Sequence, residues 1–371
     1  MRELDRPDYD NSLLSVASSV LRYYGVPGCT HASQPALDAA LAKKPQNVVV
    51  MLFDGMGVSL LEKHLPPDSF LRSHMRETIS SVFPPTTVAA TTTIQSGLSP
   101  AEHGWLGWTL YFKEAGANVA VFANKNTETG RPAAPEHLAQ TCLPYENLCG
   151  RIMRAAPDVK AENVSFRARV PVFSVASSCR RVAQILRRPG RHYIYCYWIN
   201  PDHLIHKYGV TAAQVHKNIR RIDQQTEKMC RRLKNTTVVI LADHGLIDSK
   251  WVYLEEEPAL YQMLQREPSI EPRAASLFVQ DGKQAEFARL FRARFGAHFL
   301  LLTRQQALES GLFGPGTPNK RLEDFLGDFL AVATGEYSLS VRRRPHELIG
   351  MHAGLTEEEL RIPLILVECG A

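Results

Sequence analysis

The chain has 371 residues, 44% of them hydrophobic and 22% charged, and a formal net charge of +5 at pH 7. This is the composition of an ordinary globular protein, large enough for an extensive core and more than one structural unit. The mild positive charge would attract an anionic substrate but makes no case for a nucleic-acid partner. The seven cysteines form an odd set with no Cys-x-x-Cys spacing, which argues against a zinc ribbon or redox motif and fits reduced thiols.

The N-terminus, Met-Arg-Glu-Leu-Asp, is polar and shows no signal-peptide core. No uncharged apolar run approaches the roughly 18–20 residues of a membrane helix. The expectation is a cytoplasmic protein that does not engage a membrane. The basic groups Arg180–Arg181, Arg187–Arg188, Arg231–Arg232 and Arg342–Arg343–Arg344 are scattered and read as solvated faces.

Along the chain, Asn11 or Ser12 can cap a first helix, Leu13 to Tyr24, ended by Gly25. Asn47–Phe53 is a near-continuous apolar run, short and rich in β-branched residues, and predicts a strand buried on both faces. Similar runs recur at 118–122, 163–166, 192–198, 236–242 and 362–367, several separated by helical segments such as Ala212–Lys234. Strands alternating with helices predict an α/β fold, a doubly wound and mostly parallel sheet with helices on both faces. Between Trp251 and Arg344 the rhythm changes to Ala274–Val279, a helix near Lys283–Phe295, and His298–Leu302. The division expected is a catalytic core over 1–250, a small α+β cap insertion over 251–344, and the end of the core over 345–371.

Carboxylates fall where these strands end. Asp54 follows the first, Asp202 follows the run ending at Trp198, and Asp243 follows the run ending at Ala242. Open α/β sheets bind ligands at the carboxyl ends of their strands, so the three acids can converge. Asp202 and His206 are four apart, and Asp243 is followed by His244 and by Gly245, which permits a bend. His352 precedes the final strand. Mixed Asp/His sets suit Zn²⁺, with Mn²⁺ the alternative where carboxylates dominate. Thr87, after Phe83-Pro84-Pro85, can open a helix ending at Gly97. Free N–H groups and the helix dipole there favour an arriving phosphate, although Thr86 or Thr87 could equally be a simple cap.

Together these residues resemble the alkaline phosphatase superfamily: Asp54-Gly55, Pro85-Thr86-Thr87, the stretch Ser96-Gly97-Leu98-Ser99-Pro100-Ala101-Glu102-His103-Gly104, Asp202 with His206, Asp243-His244-Gly245, and His352. The pattern is most similar to the nucleotide pyrophosphatase/phosphodiesterase branch. That resemblance implies two Zn²⁺, one held by Asp202, His206 and His352, the other by Asp54, Asp243, His244 and the Thr87 oxygen. It implies Thr87 as nucleophile, a phospho-threonine intermediate, and a structural role for His103. The N–H of Val88 is the candidate donor to the developing charge. The branch usually places an Asn near the position of Trp108, and none is present. Asn124, Lys125 or Asn126 could replace it, and Trp105, Trp108 and Tyr111 could wall a leaving group. The expected substrate is a small phosphorylated compound, a nucleotide among the candidates. The alternatives are a phosphomonoesterase or phosphonate hydrolase of the same superfamily, and a non-catalytic nucleotide-binding protein.

Overall fold

The computed structural model describes residues 6–343 and 345–370. The first five residues of the polar leader, the last arginine of the 342–344 run (which is also the expected cap boundary), and the C-terminal residue lie outside the described residues. No described helix is long and apolar enough to cross a membrane, and all seven cysteines are free thiols.

The first helix, Leu13–Tyr23, is capped by Ser12, whose hydroxyl accepts the Leu14 N–H at 3.1 Å while Ser15 answers the Ser12 N–H at 2.9 Å. The core is a six-stranded sheet in the spatial order Met75–Ser80, Arg361–Cys369, Thr236–Leu241, Asn47–Phe53, Arg191–Trp198, Val159–Val164. Only Arg361–Cys369 runs against its neighbours. Val48 through Leu52 are fully buried without a break, and successive side chains on a strand face opposite ways. Both faces of the sheet are therefore covered, as the unbroken apolar run requires. The register pairs Phe53 with Trp198 and Leu52 with Leu241, so these three strands end at one edge.

A second, wholly antiparallel sheet has the order Phe299–Thr303, Phe329–Ala333, Ala274–Leu277, Ser269–Glu271, Thr109–Phe112, Ala117–Ala120, Lys125–Asn126. Two corrections follow. The run at 118–122, expected in the core sheet, belongs to this second sheet. Only Val119 and Val121 in it are buried, the one-sided pattern of a half-covered antiparallel strand. The stretch 251–344 also does not build this unit alone, because three of its seven strands come from residues 109–126. The run at 163–166 corresponds to a strand that lies earlier, Val159–Val164.

The two sheets are joined at a buried ion pair. Arg273 and Glu359 are both fully buried, and Nε and one Nη of the guanidinium donate to the two Glu359 oxygens at 2.7 Å each. The remaining guanidinium bonds go to the carbonyls of Tyr337 and Gly335, both at 2.7 Å. Glu359 in turn accepts the Gly354 N–H at 2.8 Å through its side chain and the Gly245 N–H at 2.9 Å through its carbonyl. One residue thus holds the loops that carry His244 and His352. Arg273→Met would strand a buried carboxylate, and about 3–5 kcal/mol of folding stability should be lost in urea titrations. A loss below about 1 kcal/mol would show that this joint does not hold the two sheets together.

Candidate active site

The three strand ends are locked to one another by backbone. The Asp54 N–H donates to the Trp198 carbonyl at 3.0 Å, and the Asp202 N–H donates to the Asp54 carbonyl at 2.9 Å. Asp243 Oδ1 accepts the N–H groups of Gly55 at 2.9 Å and His244 at 3.0 Å. Gly55 has φ +72°, and a Cβ there would lie 2.5 Å from Leu246 Cδ1 and 2.9 Å from Asp202 Cβ. At Gly245 a Cβ would meet the Glu358 carbonyl at 1.9 Å. Only glycine fits after either acid motif.

The histidines share one arrangement. Nδ1 lies 2.7 Å from the Gly350 carbonyl in His206, 3.1 Å from the Gly245 carbonyl in His244, and 3.2 Å from the Pro85 carbonyl in His352. A carbonyl only accepts, so each bond assigns the proton to Nδ1 and leaves the Nε2 lone pair free. Each Nε2 faces an acid. His206 is 3.3 Å and His352 3.9 Å from Asp202 Oδ1; His244 is 3.5 Å from Asp54 Oδ1 and 3.6 Å from Asp243 Oδ2. Lone pairs turned on carboxylate oxygens repel unless something positive lies between them.

Electrostatics agree with this geometry. Asp202 Oδ1 and Asp243 Oδ2 are buried and have no hydrogen-bond partner among the described residues. Burial, then the charges of Asp243 and Asp202, push the Asp54 carboxyl well above the usual range. Burial likewise raises Asp243. Burial, then His244 and His206, hold the His352 imidazole far below its ordinary value. A divalent cation would satisfy every one of these groups, and the donors present are those Zn²⁺ or Mn²⁺ accept.

The ligand atoms of Asp54, Asp243 and His244 lie within 4.8 Å of one another, as do those of Asp202, His244 and His352. His244 therefore borders both sets, its ring stacked on that of His352 at 3.9 Å. His206 lies outside the tight second set and reaches it through Asp202, a difference from the expected trio of Asp202, His206 and His352.

Thr87 is the first residue of the helix Thr87–Ser96, with Thr86 in extended conformation before it and Gly97 closing it at φ +71°. Its buried Oγ1 lies 3.4 Å from both Asp54 oxygens and 3.3 Å from His244 Nε2. The Val88 N–H belongs to the first turn, whose donors have no intrahelical acceptor. His103 is elsewhere: it bonds Thr93 Oγ1 at 3.1 Å and accepts the Trp105 N–H at 2.9 Å, and burial lowers its pKa to about 3.

A cleft of about 870 Å³ opens over Thr87, Asp202, His206 and His352, and the second sheet supplies much of its wall, including Trp108 and Lys125. Asn124, one of the three residues that could replace the missing Asn, is not among its lining residues. Its Nδ2 donates to the carbonyls of Ala134 and Glu136 at 3.2 and 2.8 Å, and its Oδ1 accepts the Leu138 N–H at 3.0 Å, so it closes its own loop. Asn126 does line the cleft, but its Oδ1 is engaged by the N–H groups of Glu128 and Thr129.

Two residues escaped the sequence reading. Tyr197, one position before the end of its strand, donates its hydroxyl to Asp54 Oδ2; an aromatic hydroxyl at a strand end beside three acids was the available signal. Glu271 accepts the Thr86 hydroxyl at 2.6 Å and the Trp108 N–H at 2.7 Å, and burial raises its pKa to about 7. No local pattern marks it.

A family model described as type I phosphodiesterase/nucleotide pyrophosphatase matches residues 48–354, from the first core strand to the loop of His352. Among solved structures, murine ectonucleotide pyrophosphatase/phosphodiesterase 5 superposes with a TM-score of 0.61 at 16% identity, over 85% of this chain and 87% of that one. The murine protein is also described as an inactive threonine-to-alanine form in complex with AMP. Phosphonoacetate hydrolase from Sinorhizobium meliloti, in complex with phosphonoacetate, gives 0.62 at 17% identity, over 87% and 90% of the two chains. At these identities the structures establish the shared fold. No curated protein sequence matches the chain.

The site's instability without a cation is measurable. Asp243→Asn keeps an oxygen for the Gly55 and His244 N–H groups but removes a buried charge with no partner. The metal-free variant should melt about 2–4 °C above metal-free wild type, while its zinc affinity falls at least tenfold. A variant that is less stable when metal-free, or binds zinc as wild type does, would contradict this reading of the acids.

Proposed function

Because the chain belongs to the type I phosphodiesterase/nucleotide pyrophosphatase family, and so to the phosphoric ester hydrolases of the alkaline phosphatase superfamily, we propose that it cleaves phosphodiester or pyrophosphate bonds through a phospho-threonine intermediate on Thr87. The observation that carries this reading is the placement of Thr87 Oγ1, buried at a helix N-terminus between Asp54 and His244.

Asp54, Asp243 and His244 would hold one Zn²⁺ beside Thr87, and Asp202, His206 and His352 the second, with His244 on the border between them. Bound there, divalent cations supply Lewis acidity, making a hydroxyl or water acidic at neutral pH and countering charge on phosphate oxygens. The chain's own groups do the rest. Asp54 faces the Thr87 hydroxyl and can take its hydrogen bond, aiming the oxygen lone pair at phosphorus; Tyr197 fixes that carboxylate from behind. As Oγ1 gives up its proton to solvent and bonds to phosphorus, the bond to the leaving oxygen breaks on the opposite side, and that oxygen departs with the electron pair and is protonated from solvent. Charge gathering on the non-bridging oxygens meets the Val88 N–H and the positive end of the helix dipole. Water then cleaves the phospho-threonine and restores the hydroxyl. The Nδ1 bonds to backbone carbonyls keep all three imidazoles in one orientation throughout.

The substrate is a small phosphorylated compound, and the AMP complex of the murine protein supports a nucleotide. A phosphonate is the second reading, favoured by Lys125 in the cleft wall, where it could pair with a substrate carboxylate, and by the likeness to phosphonoacetate hydrolase.

Turnover of bis-p-nitrophenyl phosphate, p-nitrophenyl phosphate and phosphonoacetate should favour the diester. Thr87→Ala should lower diester turnover by about 10³-fold or more while both metal ions remain bound. Diester activity no greater than the other two, or a variant retaining a tenth of wild-type activity, would overturn the proposal.

A further inference from the structure

Resting on the hydrolase reading of the same cleft, we propose that Glu271 is a specificity residue that disfavours phosphate monoesters, by setting a carboxylate against the position of the extra unesterified oxygen. Glu271 ends the strand Ser269–Glu271 and lines the cleft with Thr87. Both of its hydrogen bonds, from the Thr86 hydroxyl at 2.6 Å and the Trp108 N–H at 2.7 Å, go to Oε1. Oε2 takes none among the described residues and is not sealed from solvent. One carboxylate oxygen is thus fixed by the hydroxyl of Thr86, next to the nucleophile in sequence, while the residue lines the cleft and its other oxygen is not engaged by these bonds.

The backbone is built around this placement. Ile270 has φ +74°, a costly conformation for a β-branched residue. At Gly107 a Cβ would lie 2.7 Å from the Ile270 carbonyl, so the two segments can pass only because residue 107 is glycine. That close passage brings the Trp108 N–H onto Glu271.

A diester phosphate carries one negative charge and two unesterified oxygens; a monoester carries up to two charges and three such oxygens. Both would meet the same cations, but only the monoester adds an oxygen and a charge next to the carboxylate. Burial raises Glu271 to about 7, so above that pH the ionised carboxylate and a dianionic monoester share one partly buried cleft, and their repulsion is enough for a tenfold or larger discrimination.

Glu271→Gln tests this with little change of shape, since the amide oxygen can accept both existing bonds. The ratio of kcat/KM for bis-p-nitrophenyl phosphate over p-nitrophenyl phosphate should narrow about tenfold, with the monoester value rising in absolute terms. Independently of turnover, inorganic phosphate should bind about tenfold more tightly to Thr87→Ala/Glu271→Gln than to Thr87→Ala, both loaded with zinc, by calorimetry. A wild-type diester preference that persists unchanged in the variant, or equal losses on both substrates, overturns this inference and leaves the diesterase reading standing. Wild-type protein without diester preference defeats that reading, and this inference with it.

Discussion

Three carboxylates are packed into one buried space with no cationic side chain between them among the described residues, and a bound cation would relieve that crowding. Asp54, Asp202 and Asp243 leave neighbouring core strands at the same edge and are tied together by backbone hydrogen bonds. Two of their oxygens are buried without a partner among the described residues. The side-chain nitrogens turned toward them are imidazole Nε2 atoms, in rings whose Nδ1 protons are committed to backbone carbonyls on the far side. Folding such a cluster works against stability, and fold-stabilising forces elsewhere must offset it. The unbroken apolar strand, buried on both faces, is one such force.

Much of this was legible because each part obeys a local rule. The apolar run at 47–53 could only be a central strand, and a central strand's carboxyl end is where a doubly wound sheet binds its ligand. Asp-Gly and Asp-His-Gly combine an acid with a residue that tolerates the required turn, and the structure shows why a side chain at Gly55 or Gly245 would collide. The misplaced run at 118–122 has the composition of a core strand, but its alternating burial depends on what lies across from it. The roles of Tyr197, Glu271 and Asn124 had the same obstacle. Each is decided by partners far away in the chain, such as Asp54, Thr86 and the 134–138 loop. The border position of His244 is likewise a matter of ångströms that spacing does not encode.

The second sheet links architecture to selectivity. It carries Lys125 and Glu271 to the cleft wall, with Trp108 just before its strand Thr109–Phe112, and it anchors to the core through Arg273 and Glu359; Glu359 also holds Gly245 and Gly354 in the loops of His244 and His352. The unit that faces the substrate therefore shares its foundation with the residues that would hold the cations. Substrate choice can change along Ser269–Glu271 and Thr109–Asn126 while the acid edge of the core sheet stays fixed.

The most direct test of the central claim is anomalous diffraction from a zinc-loaded crystal. The account expects two peaks, one against Asp54, Asp243 and His244 within bonding distance of Thr87 Oγ1, the other against Asp202 and His352 with His206. A single peak, peaks away from these residues, or a Thr87 side chain turned out of the cleft would contradict it.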